Sequence, residues 1–167
     1  SQKLKLKIRC PWWVKPGEMK VICNGKDYAV GAQPSSYIEI DRKWKKGDKV
    51  TIHFDMEPRI VMAHRQVTED RGKIAVERGP LVYCAEWADN DFNVLSTALS
   101  RDAEFTVVPF KMNVEGRDYA MDALETTAYD NFTGNVSRAR EVKLRLIPYY
   151  AWAHRGNGNM EVWMTRK

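Results

Sequence analysis

Apolar and polar residues alternate with a period of two along much of this chain, and this pattern constrains its fold more than any other feature. The clearest run covers residues 50–56, and similar runs cover 4–10 and 142–146. A period of two is the repeat of a β-strand with one buried face. Many short strands with little helix predict an all-β fold: an antiparallel, jelly-roll-like β-sandwich, complete once and present in part a second time.

Turn residues separate the predicted strands. Asn24-Gly25 predicts a tight β-hairpin. We expect a loop at residues 31–36. For residues 88–99 a short helix competes with other structures, and residues 118–127 fit either a strand or a loop. A charged, turn-rich stretch at 66–72 predicts a boundary between two modules, 1–65 and 66–167.

Composition excludes several classes of protein. Hydrophobic residues make up 44% of the chain, enough for a packed core. The net charge is +5, but the cations alternate with apolar residues, which indicates a solvated sheet face and not a nucleic-acid site. We expect no membrane partner, since no apolar run approaches the length of a span. The chain opens almost directly in a strand without a signal peptide, so we expect a piece of a longer protein. Its compartment, bacterial periplasm or cytoplasm, stays open.

The cysteines and histidines do not predict a metal site. Cys10, Cys23 and Cys84 lack C-x-x-C spacing, so buried thiols are expected, with a Cys10–Cys23 disulfide left open. The histidines are scattered: His53 fits the surface, and a structural role is favoured for His154 over an interface role. We therefore expect no metal and no cofactor in this chain.

Acidic residues offer pairs that in principle cleave glycosidic bonds, among them Glu77, Glu86 and Asp89. Nothing in the sequence positions such a pair, since any chain with 22 acidic residues contains many. No nucleophile elbow is present. The sequence therefore predicts no catalytic residues in this chain.

Aromatic residues cluster at the ends of two predicted strands, each stopped by a proline. Trp12 and Trp13 follow the first, and Tyr149, Tyr150 and Trp152 follow the second. In an extended run adjacent side chains point to opposite sides, so one member of each pair is expected to be buried. The other then packs on a partner domain or stacks on a sugar, unless both belong to the core.

Five stretches resemble one known family. They are LKLKIRCPWW at 4–13, VICNGK at 21–26, YIEIDRKWKKGDKVTIHFDM at 37–56, EDRGKIAVERGPLVYCAE at 69–86 and IPYYAWAHRGNGNMEVWM at 147–164. Together they resemble the C-terminal half of glycoside hydrolase family 127, the β-L-arabinofuranosidase-like family. RGPLVYC and IPYYAWAHRG carry most of the specificity, and the resemblance covers nearly the whole chain.

This resemblance implies a division of labour within a larger bacterial parent. In the family a helical (α/α)-barrel precedes two β-sandwich modules and hydrolyses arabinofuranosyl linkages, with a zinc-bound cysteine as nucleophile and a glutamate as acid/base. No position here matches that motif, so zinc is expected only in the barrel. Residues 1–65 resemble the later part of the middle sandwich, whose earlier strands would precede Ser1, leaving a sheet edge or apolar face open. Residues 66–167 resemble the C-terminal sandwich.

The function predicted is therefore a non-catalytic β-sandwich region that supports a catalytic barrel of the same parent and forms subunit contacts, a homodimer among them. Aromatic residues and arginine are enriched in protein interfaces. The predicted interface residues are Trp12, Trp13, Tyr149, Tyr150, Trp152 and Arg155. The alternative is a carbohydrate-binding module with weak glycan contact through exposed aromatics, and an independent enzyme is a third hypothesis.

Overall fold

The computed structural model describes residues 1–30 and 32–167. Within them the chain forms β-strands and 3₁₀ helices of three residues each, which confirms the all-β prediction. No helix in this part of the chain is both long and apolar enough to cross a membrane. Of the loop predicted at 31–36, Gly31 lies outside the described residues. The chain divides into two compact units, Ser1–Glu57 and Pro58–Lys167.

The first unit contains two small sheets. Its strands are β1 (Gln2–Arg9), β2 (Lys20–Cys23), β3 (Lys26–Val30), β4 (Tyr37–Trp44) and β5 (Val50–His53). β1 pairs antiparallel with β4, while β2 pairs antiparallel with both β3 and β5. Their buried core side chains are Ile8, Cys10, Val14, Met19, Val21 and Ile40.

Local sequence accounts for two features of this unit. The hairpin between β2 and β3 turns at Asn24 and Gly25, whose φ angles of 51° and 77° are those of a type I′ turn, so the predicted hairpin is confirmed. The cations of β1 face solvent, where Lys5 and Lys7 both form ion pairs with Glu39 on β4, at 3.0 and 2.7 Å. This confirms the solvated-face interpretation.

The second unit is built on one large sheet. Its strands are β6 (Pro58–Val61), β7 (Lys73–Arg78), β8 (Leu81–Glu86), β9 (Thr97–Leu99), β10 (Thr106–Val114), β11 (Arg117–Asp130), β12 (Arg140–Pro148), β13 (Met160–Glu161) and β14 (Met164–Arg166). The order is β13-β8-β12-β11-β9-β14-β7-β6, with β10 paired to β11. β7 also pairs with β8, so the path of hydrogen-bonded strands returns on itself. Only the β9–β14 pairing among these strands is parallel.

Strand β8 and the C-terminal part of β12 are buried on both faces. Tyr83 and Leu146 belong to an apolar cluster on one face. Cys84 and Ile147, their neighbours in sequence, belong to a second cluster on the other face. Burial on both faces explains why the sequence of β8 is a continuous apolar run and does not alternate.

The structure places one boundary differently and decides between the alternatives that the sequence left open at two stretches. The units divide between Glu57 and Pro58, and not between 65 and 66, because β6 pairs with β7 and so belongs to the second unit. The helix considered for 88–99 does not form. That stretch holds two 3₁₀ helices, Trp87–Asp89 and Val94–Ser96, and then β9, which is held by its pairing with β11. Residues 118–127 lie within the long strand β11.

Candidate functional site

The stretches EDRGKIAVERGPLVYCAE at 69–86 and IPYYAWAHRGNGNMEVWM at 147–164 lie side by side in the second unit. Strand β8, at the end of the first stretch, pairs with β12 at the start of the second and with β13 near its end. On one side Ile147 of β12 lies opposite Cys84. On the other side Met160 of β13 lies opposite Glu86. The intervening chain, residues 149–159, therefore leaves and returns beside the end of β8. We call it the 149–159 loop.

A buried group of charges anchors this loop, and we call Glu86, Asp89 and Arg155 the Arg155 cluster. Arg155 Nη1 and Nη2 donate to Asp89 Oδ1 and Oδ2 at 2.7 and 2.5 Å. Nη2 also donates to Glu86 Oε2. The side chains of Glu86 and Asp89 are only 1% and 4% exposed. Hydrogen bonds that Arg155 donates to Asp89 above all, and then to Glu86, raise its pKa, so the guanidinium stays charged.

Backbone contacts attach both halves of the loop to the end of β8. The Ala153 N–H donates to the second oxygen of Glu86 at 3.2 Å, with Ala153 in the left-handed region at φ 68°. The Trp87 N–H donates to the Asn159 carbonyl at 3.0 Å. Gly158 packs so closely on the Trp87 indole that a Cβ atom there would lie 1.9 Å from Trp87 Cδ1. Only glycine fits this position without movement of the indole.

The anchored loop displays three aromatic side chains, Tyr149, Tyr150 and Trp152, which we call the aromatic surface. The rings of Tyr149 and Trp152 stack with centroids 6.1 Å apart and planes inclined by 12°. Tyr150 is 61% exposed. The expectation that one tyrosine is buried is wrong, because residues 149–151 form a 3₁₀ helix and the strand alternation does not apply. The buried side chain is instead that of Ala151.

Next to the aromatic surface lies a mainly apolar cavity of about 230 Å³. It is bounded by the hairpin of β10 and β11 on one side and by the 149–159 loop on the other. The residues that line it are Met112, Val114, Tyr119, Met121, Tyr150, Ala151 and His154. His154 is therefore at the surface beside exposed aromatic rings.

The other two predicted interface residues, Trp12 and Trp13, belong to the first unit. Trp12 is 62% exposed. Trp13 packs edge-on against Phe54, with ring centroids 5.4 Å apart, at the margin of the core. Residues 12 and 13 lie in a turn and Trp13 is only partly buried, so the alternation predicted from an extended chain does not apply to this pair either.

The cysteines are buried and free, so the Cys10–Cys23 disulfide that the sequence left open does not form. Burial, with the nearby charges of Glu86 and Asp89, raises the pKa of Cys84 to about 12. Cys84 lies among apolar side chains, in a cluster with Met112 and Ile147. Within residues 1–30 and 32–167, no group of three or more His, Cys, Asp and Glu side chains is arranged to hold a metal ion.

The acidic residues considered as a hydrolytic pair serve as ion-pair partners. Glu77 pairs with Arg59, while Glu86 and Asp89 both pair with Arg155. The sequence analysis named Arg155, Glu86 and Asp89 separately, but it did not predict that the two carboxylates pair with Arg155. A signal was present: Glu86 ends a buried apolar run, and a carboxylate in such a position requires a cation or hydrogen-bond donors.

Comparison with known proteins gives the family. The model of the family 127 C-terminal domain matches residues 58–165, and the model of the β-L-arabinofuranosidase middle domain matches residues 1–56. The chain belongs to glycoside hydrolase family 127. The resemblance seen in the sequence is thereby confirmed, and the two matched ranges meet where the compact units divide.

Individual relatives are similar to this chain along almost its whole length. A non-reducing end β-L-arabinofuranosidase of Bifidobacterium longum is 31% identical over 99% of this chain and 26% of its own length. A solved family 127 β-arabinofuranosidase is 40% identical, with a TM-score of 0.82, over 99% of this chain and 28% of its own. A family 127 β-L-arabinofuranosidase of Geobacillus stearothermophilus is 32% identical with a TM-score of 0.80, over 99% and 27%. The chain thus spans about a quarter of the length of these relatives.

Proposed function

We propose that this chain is a non-catalytic region of an enzyme that hydrolyses arabinofuranosidic linkages, and that it supports the catalytic domain of the same parent. Two facts support this. The chain matches the middle and C-terminal domains of family 127, and it aligns with only about a quarter of relatives named as β-L-arabinofuranosidases. The catalytic residues would then lie in the other three quarters.

The observation that carries the supporting role is the anchored aromatic surface. Three large rings are exposed on a loop that the Arg155 cluster fixes to β8 through buried ion pairs. A rigid loop loses little conformational entropy when a partner covers it. Exposed aromatic side chains of this kind are typical of the energetically dominant residues of protein interfaces. We assign the partner as another domain of the parent chain.

The alternative, a carbohydrate-binding module, is less well supported by the same geometry. A sugar-binding platform requires aromatic faces that are open to the ligand. The rings of Tyr149 and Trp152 are nearly parallel, with centroids 6.1 Å apart, and they stack against each other. Tyr150 is the most exposed of the three rings and lies beside a mainly apolar cavity.

The zinc of the family would bind elsewhere in the parent under this proposal. Cys84, the cysteine of the RGPLVYC stretch, is fully buried, and this burial raises its pKa to about 12. It also belongs to an apolar cluster with Met112 and Ile147. The thiol of Cys84 therefore serves as an apolar core side chain.

The non-catalytic part of the proposal is tested with the chain by itself. It is incubated with an aryl β-L-arabinofuranoside, and its binding to arabino-oligosaccharides is measured by calorimetry. We expect neither turnover nor binding heat. Turnover would refute the proposal, and binding that Tyr150→Ala abolishes would establish the carbohydrate-binding alternative.

The supporting role is tested by binding in trans. The partner is the Bifidobacterium longum relative shortened by the quarter that matches this chain, and the dissociation constant is measured with the intact chain. Tyr150→Ala should weaken binding by roughly 30-fold, as expected for a central aromatic residue of an interface. Phe132→Ala is the matched control, since Phe132 is 68% exposed and lies outside the aromatic surface. Equal effects of the two substitutions would contradict the assigned interface.

A further inference from the structure

The chain contains two Asn-Gly dipeptides, Asn24-Gly25 and Asn157-Gly158. In such a pair the glycine backbone nitrogen can attack the side-chain carbonyl carbon of the asparagine, because glycine has no side chain to obstruct the approach. The attack requires the asparagine side chain to rotate towards the following nitrogen. Folding therefore decides which of the two dipeptides reacts.

Asn24 is held away from this geometry. Its Nδ2 donates to Asp48 Oδ1 at 3.0 Å, and its Oδ1 accepts from the Lys49 N–H at 2.8 Å. The Asn24 N–H also donates to the Lys49 carbonyl at 2.9 Å, which fixes the backbone of the type I′ turn. Rotation of the side chain must break both side-chain hydrogen bonds. Two hydrogen bonds of ordinary net strength slow such a step by roughly 30-fold.

Asn157 is not held in this way. It lies in the exposed part of the 149–159 loop, between Gly156 and Gly158. In the part of the chain that the structure describes, its side-chain amide makes no hydrogen bond. Gly156 has a backbone conformation, with φ at +100°, that other residues rarely adopt, and a Cβ atom there would meet nothing within 4 Å. The side chain of Asn157 can therefore rotate without breaking a hydrogen bond.

We propose that Asn157 is a site of spontaneous deamidation in the folded protein and that Asn24 is protected from it. The Gly158 nitrogen loses its proton to base and forms a bond to Asn157 Cγ. The Cγ–Nδ2 bond breaks, ammonia leaves, and a cyclic imide remains. Water then opens the imide at either carbonyl and gives aspartate or isoaspartate at position 157. No group is oxidised or reduced.

The reaction changes the anchoring of the loop. Isoaspartate inserts one carbon atom into the main chain directly before Gly158. Gly158 packs too closely on Trp87 to accept even a Cβ atom, so the inserted carbon displaces either the loop or the indole. The new carboxylate also lies two residues from Arg155, where it competes with Glu86 and Asp89 for the guanidinium. Deamidation of Asn157 therefore loosens the segment that presents the aromatic surface.

The test compares the two dipeptides within one molecule. The intact chain is incubated at mildly alkaline pH in buffer and, separately, in concentrated urea. Trypsin then releases Asn24 and Asn157 in different peptides, and mass spectrometry measures replacement of NH by O in each. In urea the two sites should react at similar rates. In the folded chain Asn24 should react roughly 30-fold more slowly than in urea, and Asn157 should react faster than Asn24.

Two results would overturn the proposal. One is an Asn157 rate in the folded chain as slow as that of Asn24, and the other is equal, fast reaction of both sites in buffer. Asn157→Gln serves as the control and should remove the signal from its peptide. Hydrogen exchange of the aged protein provides a second readout: amides 153–159 should exchange faster than in fresh protein, and unchanged exchange would refute the loosening of the loop.

Discussion

Glu161 gives the most specific prediction, because the fold buries its carboxylate without a hydrogen-bond partner. It lies on β13 opposite Ala85 of β8, and its Oε2 atom is buried and unsatisfied. Burial raises the pKa of Glu161 to about 7 from an ordinary value of 4.5, and the positive charge of Lys73 opposes this only in part. The folded chain therefore holds a proton that the unfolded chain releases.

The sign of the effect follows from proton linkage. Below about pH 4.5 the carboxyl of Glu161 is protonated in both states and gives no pH dependence. Between 4.5 and about 7 only the folded state keeps the proton, so the free energy of unfolding falls as the pH rises. A pKa change of this size corresponds to a change of about 3 kcal/mol in the free energy of unfolding. Because the side chain is partly exposed to solvent, we expect a change of about 2 kcal/mol.

Glu161→Gln removes the titrating group and keeps the shape of the side chain. Urea unfolding should give similar free energies for the variant and the natural chain near pH 4.5. At pH 8 the variant should be more stable by about 2 kcal/mol. Glu141→Gln, at an exposed position of β12, is the control and should show no such pH-dependent difference. A difference between Glu161→Gln and the natural chain that is constant with pH, or of opposite sign at pH 8, would refute the reasoning.

Three further predictions concern the 149–159 loop and the core. Arg155→Met leaves two buried carboxylates without their cation and should lower the free energy of unfolding by about 3 kcal/mol or more. Arg140→Met, which removes a 63% exposed side chain from an ion pair, should lower it by less than about 1 kcal/mol. Gly158→Ala should cost about 1–3 kcal/mol through its clash with Trp87, and Trp87→Ala in the same chain should remove most of that cost. Cys84 should not react with a thiol reagent until the protein unfolds, since burial raises its pKa to about 12.

The outcomes that would contradict these predictions are distinct. Equal losses for Arg155→Met and Arg140→Met in urea unfolding would show that burial of the Arg155 cluster has no energetic consequence. Additive losses for Gly158→Ala and Trp87→Ala in a double-mutant cycle would exclude the close contact. A thiol of Cys84 that reacts in the folded protein, followed by absorbance, would show that the second apolar cluster opens in the native state.

The sequence predicted the parts of the fold that depend on local physical chemistry. The period of two at residues 4–10 and 142–146 gave β1 and β12, and Asn24-Gly25 gave the hairpin of β2 and β3. Both signals are properties of neighbouring residues, so no tertiary information was needed. The family motifs were likewise visible in the sequence, because they are contiguous stretches of the chain.

Prediction from the local sequence pattern failed where residues distant in sequence determine the structure. At 88–99 the chain pairs with β11 as β9, although the stretch considered alone was compatible with a helix. At the tyrosine pair a 3₁₀ turn replaced the extended chain on which the alternation depended. In both places the chain had local conformations of similar energy, and packing against another part of the unit stabilised one of them.

The Arg155 cluster shows this division most clearly. The sequence determined that Glu86, Asp89 and Arg155 carry charge and that the first two follow an apolar run. It did not determine that they meet, since Arg155 lies 66 positions from Asp89 and 69 from Glu86. Their contact exists because β8 is placed between β12 and β13, and this order of strands is a property of the whole sheet. Tertiary structure alone therefore decided that these charges are buried partners and that the rings of the aromatic surface face outward.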